Sequence, residues 1–347
     1  MSPISDARGA GAGESGDAGG SRGPGAGRPA LAWRLVCVSV NAAIDKTAAV
    51  DRLVPGEIHR PELLSVLPGG KALNVARAAR TLGLVASVVA VLGGHAGDWM
   101  EDALARRGIR TRAVRVAGET RTCLSVVDRG TGALTEFYEA GLTLDADGWT
   151  AVERALHAEL AEDQAHVLVV IAGSLPPGAP VDGYGRLAAL ADGAGARAVV
   201  DAGGAHLAAA LAARPWLVKV NAREAAEATG IPAPDEPGAL AAARALQAGG
   251  ASVALVTRGV DGAVLVAEDG APWRIGPPPE LGPYVVGSGD ALLAGLVAAL
   301  AAGHSLPEAA RRGAAAACAN ALVPGQGELD PADAARVLAG ITLDPLG

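Results

Sequence analysis

From Arg34 onward the chain alternates short, wholly apolar runs with longer stretches whose apolar positions recur at helical spacing. Leu35–Val40 is such a run, closed by Asn41, and has the pattern of a buried first strand. Lys71–Leu82 places Leu73, Val75, Ala76, Ala79 and Leu82 on one helical face and stops at Gly83, where a glycine can close the last turn. Val85–Val91 then reads as strand and Gly97–Arg107 as helix. After a helix near Asp147–Leu160, strands at Val167–Ile171, Ala198–Asp201, Leu217–Val220 and Val253–Thr257 are separated by helical segments. Continuous apolar strands alternating with helices predict a doubly wound α/β body, its mostly parallel sheet covered by helices on both faces. Two or three helices, the first starting at Asp290, complete the chain.

Two regions break this rhythm. Thr47–Leu67 carries β-branched residues and a Pro55-Gly56 turn without helical period, and Thr111–Val116, Thr122–Asp128 and Leu134–Tyr138 read as three further short strands. Together, residues 47–67 and 111–138 predict a small β-sheet lid standing off the body. Such a lid has an uncovered apolar face and open edges, so a homodimer joined through the lids is expected. Residues 1–30 are Gly, Ala, Ser, Pro and Arg with almost no large apolar side chain and no signal-peptide core, so they read as a disordered tail. That leaves one domain over residues 34–340.

Composition narrows the function. Half of the 347 residues are hydrophobic and 19% are charged, which suits a packed core. The net charge of −8 excludes a general attraction to nucleic acid or an anionic membrane, so bound phosphate must be held locally. The longest apolar stretch, Ala291–Gly303, is shorter than the ~20 residues of a membrane span. Cys37, Cys123 and Cys318 are far apart without a CxxC pair, and the six histidines lack metal-ligand spacing; a reducing cytoplasm fits best. Only three of the 29 basic residues are lysines: Lys46, Lys71 and Lys219. They fall in Asn41–Lys46, Lys71–Asn74 and Lys219–Asn221, beside three of the four asparagines, which suggests that each ammonium is kept for a purpose arginine does not serve.

Ligands of open α/β sheets bind beyond the carboxyl ends of the strands. Asn41, Asp45, Ser174, Asp201, Lys219 and Asn221 lie at such ends. Gly287-Ser288-Gly289-Asp290 is followed by the apolar helix, so a tight turn meets free N–H groups and the positive end of a helix dipole, the makings of an anion hole. Alone, Asp290 could be a capping acid worth ~0.3–1 kcal/mol. From residue 31 onward, Walker, dinucleotide-fingerprint, HExxH and GxSxG patterns are all missing from the sequence.

Taken together, these residues resemble the phosphofructokinase B branch of the ribokinase-like carbohydrate kinases, over roughly residues 34–340. In the family's order, Asn41-Ala42-Ala43-Ile44-Asp45-Lys46 resembles its N-P-x-x-D opening and Gly69-Gly70-Lys71-Ala72-Leu73-Asn74-Val75-Ala76 its G-G-K-G-x-N-x-A motif. Thr135–Gly141 resembles T-E-x-N-E-P-G, Gly173–Gly178 is an intact G-S-L-P-P-G, Lys219–Glu224 keeps K-x-N-x-x-E, and Gly287–Asp290 completes the set. Gly93-Gly94-His95-Ala96-Gly97 looks closer to the subgroup of 1-phosphofructokinases and tagatose-6-phosphate kinases.

The resemblance implies a cytoplasmic, ATP-dependent, magnesium-requiring kinase acting on a ketohexose phosphate. Fructose 1-phosphate leads; tagatose 6-phosphate and fructose 6-phosphate are the alternatives. A sugar-phosphate-binding regulator without useful turnover is the alternative of another class, against which the retained Asp290 speaks. By the same resemblance Asp290 is the general base, and the amides of Gly287, Ser288 and Gly289 hold charge on the transferred phosphoryl group. Asp45, Gly70 and Asn74 bind sugar hydroxyls, Ser174 lines the acceptor site, and Lys71 with Arg121 grips the phosphate already on the sugar. Lys219, Asn221, Thr257 and Gly259 meet the nucleotide, and Glu224 orients magnesium, through water. Ala72 departs from the family's third glycine and is expected to crowd the sugar pocket with its Cβ.

Overall fold

The first apolar run becomes β1 (Arg34–Ser39), and its residues are divided between two cores: Leu35 and Cys37 pack on one face of the sheet, Val36 and Val38 on the other. That division is why the strand reads as continuously apolar rather than alternating. The computed structural model describes residues 33–162 and 166–347, so the tail expected over residues 1–30 lies outside the described residues.

In chain order, β1 is followed by β2 (Ala43–Val50), β3 (Glu62–Gly69), α1 (Lys71–Thr81), β4 (Ala86–Leu92), α2 (Gly94–Arg106) and β5 (Arg110–Arg115). Then come β6 (Arg121–Asp128), β7 (Leu134–Tyr138), α3 (Ala146–Ala161), β8 (Val167–Ala172), α4 (Gly183–Gly193), β9 (Arg197–Asp201), α5 (Gly204–Ala212) and β10 (Leu217–Asn221). The remainder is α6 (Ala222–Thr229), α7 (Glu236–Ala248), β11 (Val253–Thr257), β12 (Ala263–Val266), β13 (Pro272–Ile275), α8 (Ser288–Ala301), α9 (Leu306–Leu322), α10 (Pro331–Leu338) and β14 (Leu343–Pro345).

Among the described residues, ten strands form the main sheet in the order β14-β13-β12-β11-β10-β9-β8-β1-β4-β5, parallel from β11 to β5 and antiparallel beyond. Helices α1, α2, α8 and α9 cover one face and α3, α4 and α7 the other. This is the expected α/β architecture. The second sheet, β3-β2-β6-β7, is the lid. Among the described residues, no helix is long and apolar enough to cross a membrane.

Four expectations need correction. Residues 111–116, expected in the lid, instead form β5, the edge of the main sheet, in parallel register with β4. A short alternating strand does not announce its partner; here the side chains decide. Arg110 and Arg112 reach the Glu159 carboxylate on α3 at 2.5 and 3.3 Å, which Arg34 of β1 and Ser87 of β4 also meet at 2.8 and 2.7 Å. The lid starts earlier than residue 47, because β2 pairs with β3 and β6 from Ala43, so Asp45 sits on a lid strand. Helix α8 begins at Ser288 rather than Asp290, and α2 at Gly94 rather than Gly97.

Glu159 is 1% exposed and shares its carboxylate among three guanidinium groups. Glu159→Ala is expected to lower unfolding free energy by about 3 kcal/mol, because it takes the carboxylate from the buried Arg34 guanidinium, whereas Arg110 and Arg112 keep Glu162; urea denaturation checks it.

Candidate active site

All the predicted site residues line one cleft of about 910 Å³, between the carboxyl ends of the main strands and the lid. At its deep end Gly287, with φ +86°, caps α8 in the left-handed region. The turn cannot spread, because a Cβ on Gly287 would lie 2.5 Å from the Gly327 nitrogen. A Cβ on Gly289 would lie 2.6 Å from Lys219 Nζ, so the ammonium rests directly against the first turn of α8. Glycine, ammonium and helix terminus thus converge on one place for negative charge. Of the three amides expected there, that of Ser288 donates to the Val285 carbonyl at 3.2 Å; the Ser288 hydroxyl is buried without a partner.

Asp290 follows at the third position of α8, 5% exposed, and accepts a hydrogen bond from Asn74 Nδ2 at 2.8 Å. Burial, seconded by the charge of Asp201, pushes its pKa up to about 6 against the lowering pull of Lys219, Lys71 and the Asn74 amide. Asp45 accepts from the Gly70 amide at 3.3 Å, and burial pushes its pKa up to about 7, with Arg77 pulling the other way. Gly69 is required by this contact, since a Cβ there would fall 1.9 Å from Asp45 Oδ2.

The third acid, Asp201, behaves oppositely. Burial would raise it, but Lys219 Nζ at 2.6 Å and Lys71 Nζ at 2.8 Å together hold it at about 2. Lys71 also lies 3.7 Å from Glu224 Oε1. The structure therefore turns Lys71 toward two carboxylates, whereas Arg121 donates to the backbone carbonyls of Asn41 and Glu139, both at 3.2 Å, with its Nε buried and unpaired. Both side chains reach the cleft, but their contacts diverge instead of forming the expected pair.

Asn221 and Glu224 form a reciprocal cap on α6: Asn221 Oδ1 accepts from the Glu224 amide at 2.9 Å and Glu224 Oε2 from the Asn221 amide at 3.0 Å. Ser174 Oγ accepts from Asn41 Nδ2 at 3.0 Å, and Thr257 Oγ1 donates to the Val220 carbonyl at 3.4 Å. Ala72 does not crowd the sugar side, contrary to expectation; it is fully buried in the core under α1.

Sequence reasoning gave no role to Asp201, although two scarce lysines needed an acid, and missed Gln326 and Arg77 altogether. Arg77 was legible only as an arginine three residues after Asn74 on a helix otherwise buried along Ala72–Ala79.

The family model described as "pfkB family carbohydrate kinase" matches residues 34–333. This chain belongs to the pfkB family of carbohydrate kinases. Among its pfkB relatives, 1-phosphofructokinase of Xanthomonas campestris is 39% identical over 276 residues, 78% of this chain and 85% of that protein. ATP-dependent 6-phosphofructokinase isozyme 2 of Mycobacterium tuberculosis is 31% identical over 87% of this chain and 88% of that one. The tetrameric inhibited form of Escherichia coli phosphofructokinase-2 superposes with a TM-score of 0.79 at 28% identity, covering 88% of this chain and 98% of that one. The protein is therefore a carbohydrate kinase on the ribokinase-like fold, with the mostly parallel sheet and separate small sheet of such structures.

A stability prediction follows from Asp45. Its folded pKa lies above the ordinary 3.8, so the native state binds its proton more tightly; that stabilisation is present below about pH 4 and lost as pH rises through about 7. Asp45→Asn removes the titration. The variant is expected to gain thermal stability relative to the parent as pH is raised from about 4 to 8, by on the order of a few kcal/mol.

Proposed function

We propose that this pfkB kinase transfers the γ-phosphoryl group of ATP to a hydroxyl of a phosphorylated ketohexose, with fructose 1-phosphate as the preferred acceptor. The observation that carries the reading is the convergence of Asp290, the Gly287–Gly289 turn and the Lys219 ammonium at one end of the cleft. Asp290 takes the acceptor's hydroxyl proton as the new O–P bond forms and the bond to the β-phosphate oxygen breaks, releasing ADP. A base with a pKa near 6 is ionised at neutral pH yet basic enough to hold that proton. The turn and Lys219 stabilise charge on the phosphoryl oxygens, the main requirement of this chemistry. Asp45, Gly70, Asn74 and Ser174 hold the sugar; Asn221, Thr257 and Gly259 meet the nucleotide.

The phosphate already on the sugar is gripped by Arg121, whose buried, unpaired Nε is one donor of a planar fork, and by Lys71 once it leaves Asp201. Higher identity to a 1-phosphofructokinase than to a 6-phosphofructokinase favours fructose 1-phosphate. Fructose 6-phosphate is the second reading, since Escherichia coli phosphofructokinase-2 was solved with it. Magnesium fits this donor set in one way. Among the described residues no three His, Cys, Asp or Glu side chains gather, and one Glu224 oxygen is committed to the α6 cap. Glu224 would therefore meet the ion through water while the nucleotide's oxygens carry it. When bound, magnesium neutralises charge on the phosphates.

Magnesium-dependent ADP release with fructose 1-phosphate, fructose 6-phosphate, tagatose 6-phosphate and fructose tests the reading. Fructose 1-phosphate is expected to give the highest kcat/KM, with an acid limb near pH 6. Asp290→Asn should lose at least ~10²-fold in kcat. Turnover of free fructose alone would overturn the assignment of Arg121 and Lys71.

The exposed lid residues Ile58, Leu63, Phe137 and Tyr138 support a homodimer in which a second copy covers the lid. Light scattering at micromolar concentration is expected to give twice the chain mass, and Phe137→Asp to shift it toward the monomer.

A further inference from the structure

Arg77 lies one turn beyond Asn74 on α1 and is 1% exposed. All three of its guanidinium nitrogens are engaged. Nε donates to the Pro68 carbonyl at 2.8 Å, Nη1 to the Glu328 carboxylate, and Nη2 both to the Gln326 carbonyl at 2.5 Å and to Asn74 Oδ1 at 2.8 Å. Asn74 then donates from Nδ2 to Asp290 Oδ2 at 2.8 Å. An amide has one donor end and one acceptor end, whereas a guanidinium offers donors only. The bond from Arg77 therefore decides which end of Asn74 faces Asp290.

We propose that Arg77 is a positioning residue for phosphoryl transfer: it holds the Asn74 amide with its N–H end toward Asp290, which favours the ionised carboxylate. The proposal rests on the reading of Asp290 as the base. With Arg77 gone, the amide can turn its oxygen to Asp290, an arrangement satisfied only when the carboxyl is protonated. The acid limb of turnover would then move up.

The same arginine ties the base to the loop over residues 325–328. A Cβ on Gly327 would lie 2.9 Å from Asn74 Cβ, and the turn at Gly287 packs against the Gly327 nitrogen, so the loop is wedged between α1 and the start of α8. Gln326 Nε2 also donates to Ser125 Oγ on the lid strand β6 at 3.2 Å. One short loop thus touches the lid, the anion turn and the amide that orients the base. The other charged groups around Asp290 are Lys71 on α1, Asp45 on β2, Asp201 on β9 and Lys219 on β10, which act on it through their charge. Arg107 lies 2.9 Å from Glu328, so that carboxylate keeps a cationic partner if Arg77 is replaced.

The test must separate the fork from the charge. Arg77→Lys keeps the charge but places its ammonium in line with the lost Cζ, beside the Pro68 carbonyl and short of Asn74. Arg77→Met removes both. Profiles of kcat and KM against pH are measured for the parent, both variants, Asp290→Asn and the Arg77→Lys/Asp290→Asn double variant, each well below its melting temperature. Both Arg77 variants are expected to lose about tenfold in kcat near neutral pH, with KM changed less than about threefold and the acid limb raised by about one pH unit. In the Asp290→Asn background Arg77→Lys should cost nothing further. The proposal is overturned if Arg77→Lys keeps the parent's acid limb, because charge alone then suffices. It is equally overturned if the loss is the same at every pH or persists in the Asp290→Asn background, the mark of a merely structural arginine. Arg77→Lys, which keeps the cation opposite Glu328, decides the matter where Arg77→Met does not fold. Full activity of Asp290→Asn would instead remove the base reading itself.

Discussion

The cleft depends on one buried ion cluster, the Asp201 carboxylate with the ammonium groups of Lys71 and Lys219. Lys71 also lies 3.7 Å from Glu224, so two carboxylates hold two ammonium groups in place against the cleft, Lys219 buried and Lys71 partly open to it. The cluster therefore predisposes the site to phosphate without a basic surface, which agrees with a chain carrying a net charge of −8. It also sets the hands of the two lysines. Lys219 comes from β10 and Lys71 from the start of α1, so the carboxylate at the end of β9 fixes groups from two separate βα junctions.

Close backbone approach is the second constraint. Gly69 leaves room for Asp45, Gly287 for the loop at residue 327, and Gly289 for the Lys219 ammonium. Each glycine stands where an added methyl group would displace a functional atom rather than merely strain a turn. Lid strands β2 and β6 carry Asp45 and Arg121 to the cleft, and the body carries Lys219 and Asp290. The Gln326 to Ser125 hydrogen bond is one that crosses between lid and body.

Most of the body was legible because its parallel strands are buried on both faces and its helices end at recognisable punctuation. Legibility failed where the deciding contact is remote in sequence. Arg110–Arg115 looks like any alternating edge strand, and its place in the main sheet follows from Glu159 nearly fifty residues later. The antiparallel strands β12 to β14 are only three or four residues long and carry no period of their own. Within the site, residue types in motif order were enough to pick out side chains that line one cleft, but not to say what each one touches. Lys71 reads as a phosphate ligand, and nothing in its motif announces the ion pair it makes with Asp201. Ala72 reads as an obstruction until the helix is seen to turn it into the core. Arg77 falls in a run of alanines and valine whose burial is obvious; that its guanidinium would be satisfied there requires three carbonyl or carboxylate partners from two other segments.

The balance at Asp290 shows why this much polarity is buried at all. A carboxylate surrounded only by apolar atoms would be neutral at physiological pH and useless as a base; one paired directly with lysine would be too weak to accept a proton. Here burial and the neighbouring Asp201 push upward while two lysines and an amide pull downward, and the result sits about a unit below neutrality. None of the lysines bonds Asp290 directly, because Asp201 occupies both. On the proposed reading the ion cluster therefore does two things with the same atoms: it offers charge to a phosphate and keeps the nearest cations from pairing directly with Asp290.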